Sequence, residues 1–320
     1  MRILTTENIH HLSKTINFTG VIEKAALRAE EGESLTPERQ QIAHEKNTHL
    51  LMPVYEKNYF STSLLAVYPD NSQKNKETFQ GMVSLNSGET GEPLCLLNGS
   101  AVRGLRMGGL SGCGIRHLAP ADVSVLGIVG SGIQAYYHGV SILKEKTFDK
   151  ILLFDPNLWK TEQMSEKLKQ ETKIADISVA DDIMHLIMES NVIVTATNSS
   201  QPILPNDKPF LHGKTFIATG SFKPNMTELP KAIFPHIKKC IVDTRTALRE
   251  SGDLIEPVIN SRLHIDNVIT LGQFIKEKEH IQLGKTRLFK TVGSALFDMY
   301  VALELYKAAE QKEIGTEIEF

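Results

Sequence analysis

From Val123 onward the chain alternates short apolar runs with longer amphipathic ones, and this rhythm predicts a sheet of parallel strands joined by helices. Val123-Ser-Val-Leu-Gly-Ile-Val129 reads as a buried strand, followed by Gly130-x-Gly132-x-x-Ala135 and a helical segment to about Lys146. Further strands are expected at Lys150–Phe154, Ala175–Val179, Val192–Ala196, Thr215–Thr219 and Cys240–Asp243. Lys160–Lys173 has the pattern of a charged amphipathic helix, and Asp181–Ser190 that of a helix capped by an acidic residue.

The earlier part keeps a different rhythm. One helix is expected near Phe18–Glu31. Strand-like stretches follow: Leu50–Val54 meeting Pro53, Tyr59–Tyr68 closed by Pro69-Asp-Asn71, and a hairpin of Gly81–Asn86 and Pro93–Asn98 around Ser87–Gly91. Arg103–Leu118 carries five glycines, each costing a helix about 1 kcal/mol. If it is helical, Gly108 and Gly112 let its backbone approach a partner or a cofactor closely, as a bridge between two domains would need. A long helical pattern, Val292–Lys312, returns the chain to the first, α+β part. The expected domains are therefore residues 1–105 with 296–320, and 106–295.

Composition narrows the function. An apolar share of 41%, a charged share of 23% and a net charge of −3 without a basic block describe a soluble globular protein and exclude a nucleic-acid or anionic-membrane surface. The N-terminus has no apolar signal core and no run is long enough to span a membrane, which points to the cytoplasm. Cys95, Cys113 and Cys240 are an odd, widely spaced set and read as reduced thiols, although His117 lies one helical turn from Cys113. The eleven histidines show no metal-binding spacing, so no metal is expected.

The glycine turn carries the candidate chemistry. Gly130 makes a tight turn, Gly132 lets backbone approach a pyrophosphate, and Ala135 lets the helix pack close to the strand. Asp155 follows about 25 residues later, where an acid accepts hydrogen bonds from an adenosine ribose and repels a 2′-phosphate. That predicts NAD(H) in preference to NADP(H), against the alternative that Asp155 only caps its own turn. Thr195-Ala-Thr197 and Thr219-Gly-Ser221 end two strands, the edge at which open α/β sheets bind ligands, and are expected on the nicotinamide side.

Read together, a series of landmarks resembles the ornithine cyclodeaminase/mu-crystallin family: Pro37-x-Arg39, Met52-Pro53, Pro69-Asp-Asn71, Thr90-Gly-Glu-Pro93, Leu105-Arg106, Gly130-Ser131-Gly132-Ile133-Gln134-Ala135, Thr195-Ala196-Thr197, Gly220-Ser221-Phe-x-Pro224 with Glu228, Glu250-Ser-Gly-Asp253, and Phe289-Lys290-Thr-Val292-Gly293. The resemblance implies a Rossmann dinucleotide-binding domain, a second α+β domain for substrate and dimerisation, and a homodimer. It also implies that Arg39 and Arg106 hold the carboxylate of a small amino or imino acid, while the glycine turn, the Thr195–Thr197 and Gly220-Ser221 loops, Lys290, Val292 and Gly293 bind the cofactor. A forked guanidinium suits the first task because it fixes a carboxylate at two points.

Three positions depart from the family. Ser63 stands where a lysine is usual, Phe222 where the cyclodeaminases and related alanine dehydrogenases carry an aspartate, and Arg103 where Ser or Thr is usual. Cyclodeamination needs a carboxylate to hold and deprotonate a second amine, which Phe222 does not provide. Reduction of a C=N bond needs positioning above all. The expected function is thus an NAD(H)-dependent oxidoreductase at the α-carbon of a small imino or amino acid, of the ketimine, Δ1-pyrroline-2-carboxylate or opine type. Ornithine cyclodeaminase and a non-catalytic NAD(H)-binding protein are the alternatives. Thr62, Ser63 and Lys223 are the candidate proton donors.

Overall fold

The structure is a computed structural model that describes residues 1–74, 76–172 and 176–319, so Lys173 and Ala175, the ends of two expected elements, lie outside the described residues. It is a mixed α/β fold in two compact units, Met1–Arg106 with Ser294–Phe320, and Met107–Gly293. No helix among the described residues is long and apolar enough to cross a membrane.

The first unit is organised by a mostly antiparallel sheet. Its strands are β1 (Arg2–Leu4), β2 (Ser34–Leu35), β3 (Gln40–His44), β4 (Asn47–Glu56), β5 (Tyr59–Val67), β6 (Phe79–Ser87), β7 (Pro93–Asn98) and the chain's last strand, β16 (Thr316–Glu317). They run in the order β16-β1-β7-β6-β5-β4-β2, with β3 also on β4. Pro53 is tolerated inside β4 because β3 pairs with Asn47–Leu51 and β2 with Tyr55–Glu56, leaving Pro53 a partner only on β5. Alternation along β4 and β5 turns one face inward. That face is covered by α11 (Ala295–Lys312), which also packs on α1 (Thr6–Ser13) and α2 (Phe18–Ala29). A helix that is apolar nearly all round belongs in an interior, and α11 is buried from Ala295 to Leu303. Each of its large apolar side chains contributes about 1.5–3 kcal/mol by burial. Tyr300 donates to the buried Glu56 Oε1 at 2.9 Å, and Arg28 Nε donates to the same oxygen at 3.2 Å, tying α11, β4 and α2.

The second unit holds β8 (Val125–Val129), β9 (Lys150–Phe154), β10 (Asp176–Val179), β11 (Val192–Thr195), β12 (Thr215–Ala218), β13 (Ile237–Val242), β14 (Val268–Thr270) and β15 (Thr286–Lys290). The order is β10-β9-β8-β11-β12-β15-β13-β14, with every neighbouring pair parallel. Such sheets are covered on both faces, and Leu126 to Val129 is accordingly buried without alternation. The helices are α3 (Gly99–Leu118), within which the two units meet in sequence, α4 (Ile133–Glu145), α5 (Leu158–Glu171), α6 (Ile183–Glu189), α7 (Lys208–Leu211), α8 (Ala247–Glu250), α9 (Gly252–Ile259) and α10 (Leu271–Lys276).

Several boundaries differ from expectation. The glycine-rich stretch is helical, and a Cβ on Gly108 would lie 2.7 Å from the Tyr137 carbonyl oxygen, so this glycine serves close packing of α3 on α4 rather than a cofactor. Strand β11 ends at Thr195, leaving Ala196 in the loop, and β12 ends before Thr219. Helix α11 starts at Ala295 because Gly293 has φ 80° and the N–H groups of Val292 and Gly293 are donated to the Asp243 carboxylate at 3.0 and 2.6 Å. Strand β15, unforeseen, lies between β12 and β13.

Candidate functional site

In the second unit the sheet reverses its order between β8 and β11, and the carboxyl end of that junction carries the glycine turn. Gly130 has φ 106° and donates its N–H to the Phe154 carbonyl at 2.8 Å. A Cβ there would stand 2.6 Å from the Ala196 carbonyl oxygen, so the turn closes over the β11 loop only with glycine. Around Gly132, by contrast, a Cβ would meet nothing within 4 Å. Gly132 caps α4 without a side-chain bond, so the first N–H groups of this 13-residue helix keep no side-chain acceptor at the cap. Gln134 Oε1 is a buried acceptor with no hydrogen-bond donor, and Ala135 is fully buried where α4 meets the sheet.

Asp155, just past β9, accepts from Ser131 N at 2.9 Å through Oδ2 and from Asn157 N at 2.9 Å through Oδ1. It therefore caps its own turn, and its other oxygen lies against the glycine loop. Ser131 Oγ donates to Thr161 Oγ1 at 3.0 Å, fixing the other side of the loop. Gly130, Ser131, Gly132, Ile133, Gln134, Ala135 and Asp155 are thus brought together, and their uncapped helix end, glycine contact and acid fit a dinucleotide.

The ends of β11, β12, β13 and β15 are held by buried acids. Glu228 accepts from Thr195 Oγ1, Thr197 N, Thr197 Oγ1 and Gly220 N at 2.7–2.8 Å. Burial, and then the neighbouring Asp253, push its pKa upward against Lys290 and the donated bonds. Asp253 accepts from the backbone N–H groups of Glu228 and Leu229, and Lys290 Nζ lies 3.2 Å from its Oδ2. Sequence reasoning placed Thr195, Ser221, Lys290, Val292 and Gly293 against the cofactor. The side chains of Thr195, Ser221 and Lys290 are 0–1% exposed and bonded or ion-paired within the protein, Ser221 Oγ to Met226 O and Ser251 Oγ. The Val292 and Gly293 N–H groups are likewise taken by Asp243. These residues shape the strand ends, and Ala196, Thr197 and Gly220 remain at the loops. Phe222 and Lys223 follow on the same loop, both partly buried, with Lys223 Nζ 5.6 Å from the Phe222 ring.

In the first unit the expected substrate residues converge. Arg106, near the middle of α3, donates from Nε to Asp298 Oδ1 at 2.8 Å, both side chains being buried. Ser63 on β5 donates to Asp298 Oδ2 at 2.9 Å. Ser63, expected as a candidate proton donor, has its hydroxyl proton directed to Asp298. Arg39, between β2 and β3, and Arg103, one turn before Arg106, lie close enough to interact electrostatically. Desolvation, then Arg106, lowers the Arg103 pKa to about 9. Its guanidinium stacks 3.6 Å above the Phe79 ring centroid.

Asp298, which binds both Arg106 and Ser63, is a residue of this cluster that sequence reasoning missed. A single carboxylate within the apolar run Ala295–Leu303 is costly to bury without a cation, and that was the available signal. The three cysteines are free and buried, and no disulfide is formed among them.

A profile of the ornithine cyclodeaminase/mu-crystallin family matches residues 1–313. A Delta(1)-pyrroline-2-carboxylate reductase of Bacillus cereus is 33% identical over 318 residues, covering 96% of this chain and 97% of that protein. Among solved structures, the Delta(1)-pyrroline-2-carboxylate reductase of Thermococcus litoralis in complex with NADH and L-proline superposes with a TM-score of 0.91 at 24% identity, covering 99% and 100% of the two chains. An archaeal alanine dehydrogenase dimer with bound NAD superposes with a TM-score of 0.89, also at 24% identity, over 100% and 99%.

Proposed function

The chain belongs to the ornithine cyclodeaminase/mu-crystallin family, and from this premise we propose that it is an NAD(H)-dependent oxidoreductase that reduces the C=N bond at the α-carbon of a small imino acid, Δ1-pyrroline-2-carboxylate being the first compound to test. The observation that carries the reading is a buried carboxylate-seeking arginine, Arg106, held by Asp298, in a chain that also has an intact dinucleotide turn and bears Phe222 where cyclodeamination would need an acid. The full-length likeness to a reductase of this kind supports it.

The chain's own groups divide the work. The glycine turn and the start of α4 receive the pyrophosphate, and Asp155 accepts from the adenosine ribose hydroxyls and disfavours a 2′-phosphate, which gives NADH over NADPH. NADH, when bound, supplies a hydride. Asp298, steadied by Ser63, fixes the plane of the Arg106 guanidinium so that Arg106, with Arg39, orients the substrate carboxylate and with it the face of the α-carbon. An imine protonated in water arrives electrophilic and needs only this orientation, with Lys223 kept as the candidate for supplying a proton from the Gly220–Pro224 loop.

We further propose a homodimer. Ile42, Tyr55, Phe60, Leu64 and Met82 are exposed on the outer face of the first unit's sheet, where the register sets Phe60 opposite Tyr55 and Leu64 opposite Met82. Exposed large apolar side chains gathered on one sheet face are characteristic of an interface. Three buried free thiols fit a cytoplasmic setting.

The test is NADH oxidation followed with Δ1-pyrroline-2-carboxylate and a panel of open-chain imines, with the reverse reaction followed on the corresponding amino acids. Turnover dependent on Arg106 is expected. No turnover in either direction, or ammonia release from ornithine without net cofactor change, rejects the proposal.

A further inference from the structure

One cavity in the second unit belongs to neither of the sites described above. It measures about 200 Å³ and is walled by residues within 200–202, 227–234 and 252–257, none of them assigned to the cofactor or to the substrate carboxylate. Its inner wall is apolar, with Leu229 and Phe234 each 2% exposed and Pro257 buried. Asp253 and Glu256, three residues apart on α9, bring two carboxylates to one side of it. Asp253 is 1% exposed, and its Oδ1 accepts from the Glu228 and Leu229 N–H groups. Its Oδ2 lies 3.2 Å from Lys290 Nζ but accepts no hydrogen bond among the described residues. A buried ion pair offsets its desolvation only when further hydrogen bonds complete it, so this acceptor is left unfilled at the cavity wall. Glu256 is nearer the surface, and its Oε1 takes Lys231 Nζ at 3.3 Å, Arg262 Nη1 at 2.6 Å and Asn260 Nδ2 at 2.9 Å. That leaves Glu256 Oε2 open among the described residues, and Lys231 keeps ammonium protons for another acceptor. Ordered water needs about two to four polar partners, which an inner wall of Leu229, Phe234 and Pro257 does not supply. A compact molecule that carries a donor, an acceptor and an apolar body matches all of these walls at once.

We propose that this cavity is a second binding site, for a small zwitterionic amino acid with a compact apolar side chain. The ammonium goes to the acids of α9, the carboxylate to Lys231 Nζ, and the body against Leu229, Phe234 and Pro257. A five-membered cyclic amino acid, the product on the imine-reductase reading, has this charge and shape. The choice of that ligand rests on the reading, whereas the chemistry of the site stands without it. Occupancy also reaches beyond the cavity, because Asp253 holds the Glu228 backbone and Glu228 in turn holds Thr197 and Gly220.

The experiment compares L-proline with pyrrolidine and cyclopentanecarboxylate, each of which has the ring and lacks one of the two charges. Amide hydrogen exchange of the full chain is followed by mass spectrometry with each compound at the same concentration. L-Proline is expected to slow exchange in segments 227–234 and 252–257 by about threefold or more, and the single-charge analogues should leave both segments unchanged. Lys231→Met should weaken proline binding there about tenfold and remove the protection, with kcat and KM for the imine unaltered, while Lys231→Arg should keep it. No protection by proline, equal protection by either analogue, or protection that survives Lys231→Met overturns the proposal. The first two are decided on the unaltered protein. Lys231-dependent protection in a protein that reduces no imine would sink the reductase reading and leave the site standing, and imine turnover without protection would do the reverse.

Discussion

Asp298 Oδ1 and Arg106 Nε lie 2.8 Å apart in the interior of the first unit, one on α11 and the other on α3, with Ser63 donating to the second carboxylate oxygen. The pair joins residues 192 positions apart in sequence. A buried pair is weak evidence of net stability, but removing one member leaves a bare charge, at about 3–5 kcal/mol. Asp298→Ala is therefore expected to lower stability in that range by chemical denaturation. Asp298→Asn keeps the shape and one accepting oxygen but loses the charge, so it should cost less stability than Asp298→Ala while raising KM for a carboxylate substrate by about tenfold, in keeping with a charge-assisted bond. Unchanged KM in a folded Asp298→Asn protein would show that Arg106 needs no orienting partner.

The cofactor turn permits a sharper substitution. At Gly130 both the φ of 106° and the 2.6 Å approach to Ala196 O oppose a side chain. Gly130→Ala is expected to abolish NADH binding measured by fluorescence and to lower the melting temperature, whereas Gly132→Ala, which meets nothing within 4 Å, should fold normally.

This turn was legible because its parts are local: strand, glycines and helix are consecutive, and Asp155 is one strand away. The arginines were legible only through the family pattern. What stayed hidden depends on partners distant in sequence. Lys290 reads like a cofactor ligand until β15 is found between β12 and β13, facing Asp253. Asp298 gains meaning only when α11 returns to β5 and α3, and the bond from Ser63 to Asp298 was hidden for the same reason. Periodicity predicts a strand but not its neighbours, so buried charge pairs between elements lie beyond it.

Glu228 is the joint of the β11 and β12 loops, with two donors on each oxygen. In Glu228→Gln one oxygen becomes an NH2 facing two donors, which leaves at least one buried N–H or O–H unmatched at about 1–3 kcal/mol. Stability should fall by that amount in urea titrations, and the loops carrying Thr197 and Gly220 should show faster amide exchange. An isosteric Gln with full stability and unchanged exchange would mean the carboxylate is held neutral and needs no second acceptor.

The buried thiols give a pH signature with a definite sign. Burial pushes Cys95 in the first unit and Cys240 in the second up to about 12, while an unfolded chain ionises its thiols near about 8.5. Between these values the folded state holds protons that the unfolded state has released, so stability is full below pH ~8.5 and declines as pH rises toward 12. The slope approaches about 1.4 kcal/mol per pH unit for each thiol. Denaturation midpoints taken from pH 8 to 10 are expected to fall, and the Cys95→Ala, Cys240→Ala double variant should start lower but fall less steeply. A thiol reagent added at pH 8 should react with neither cysteine until denaturant is present, and rapid labelling of the native protein would show that one of these sites opens to solvent without unfolding.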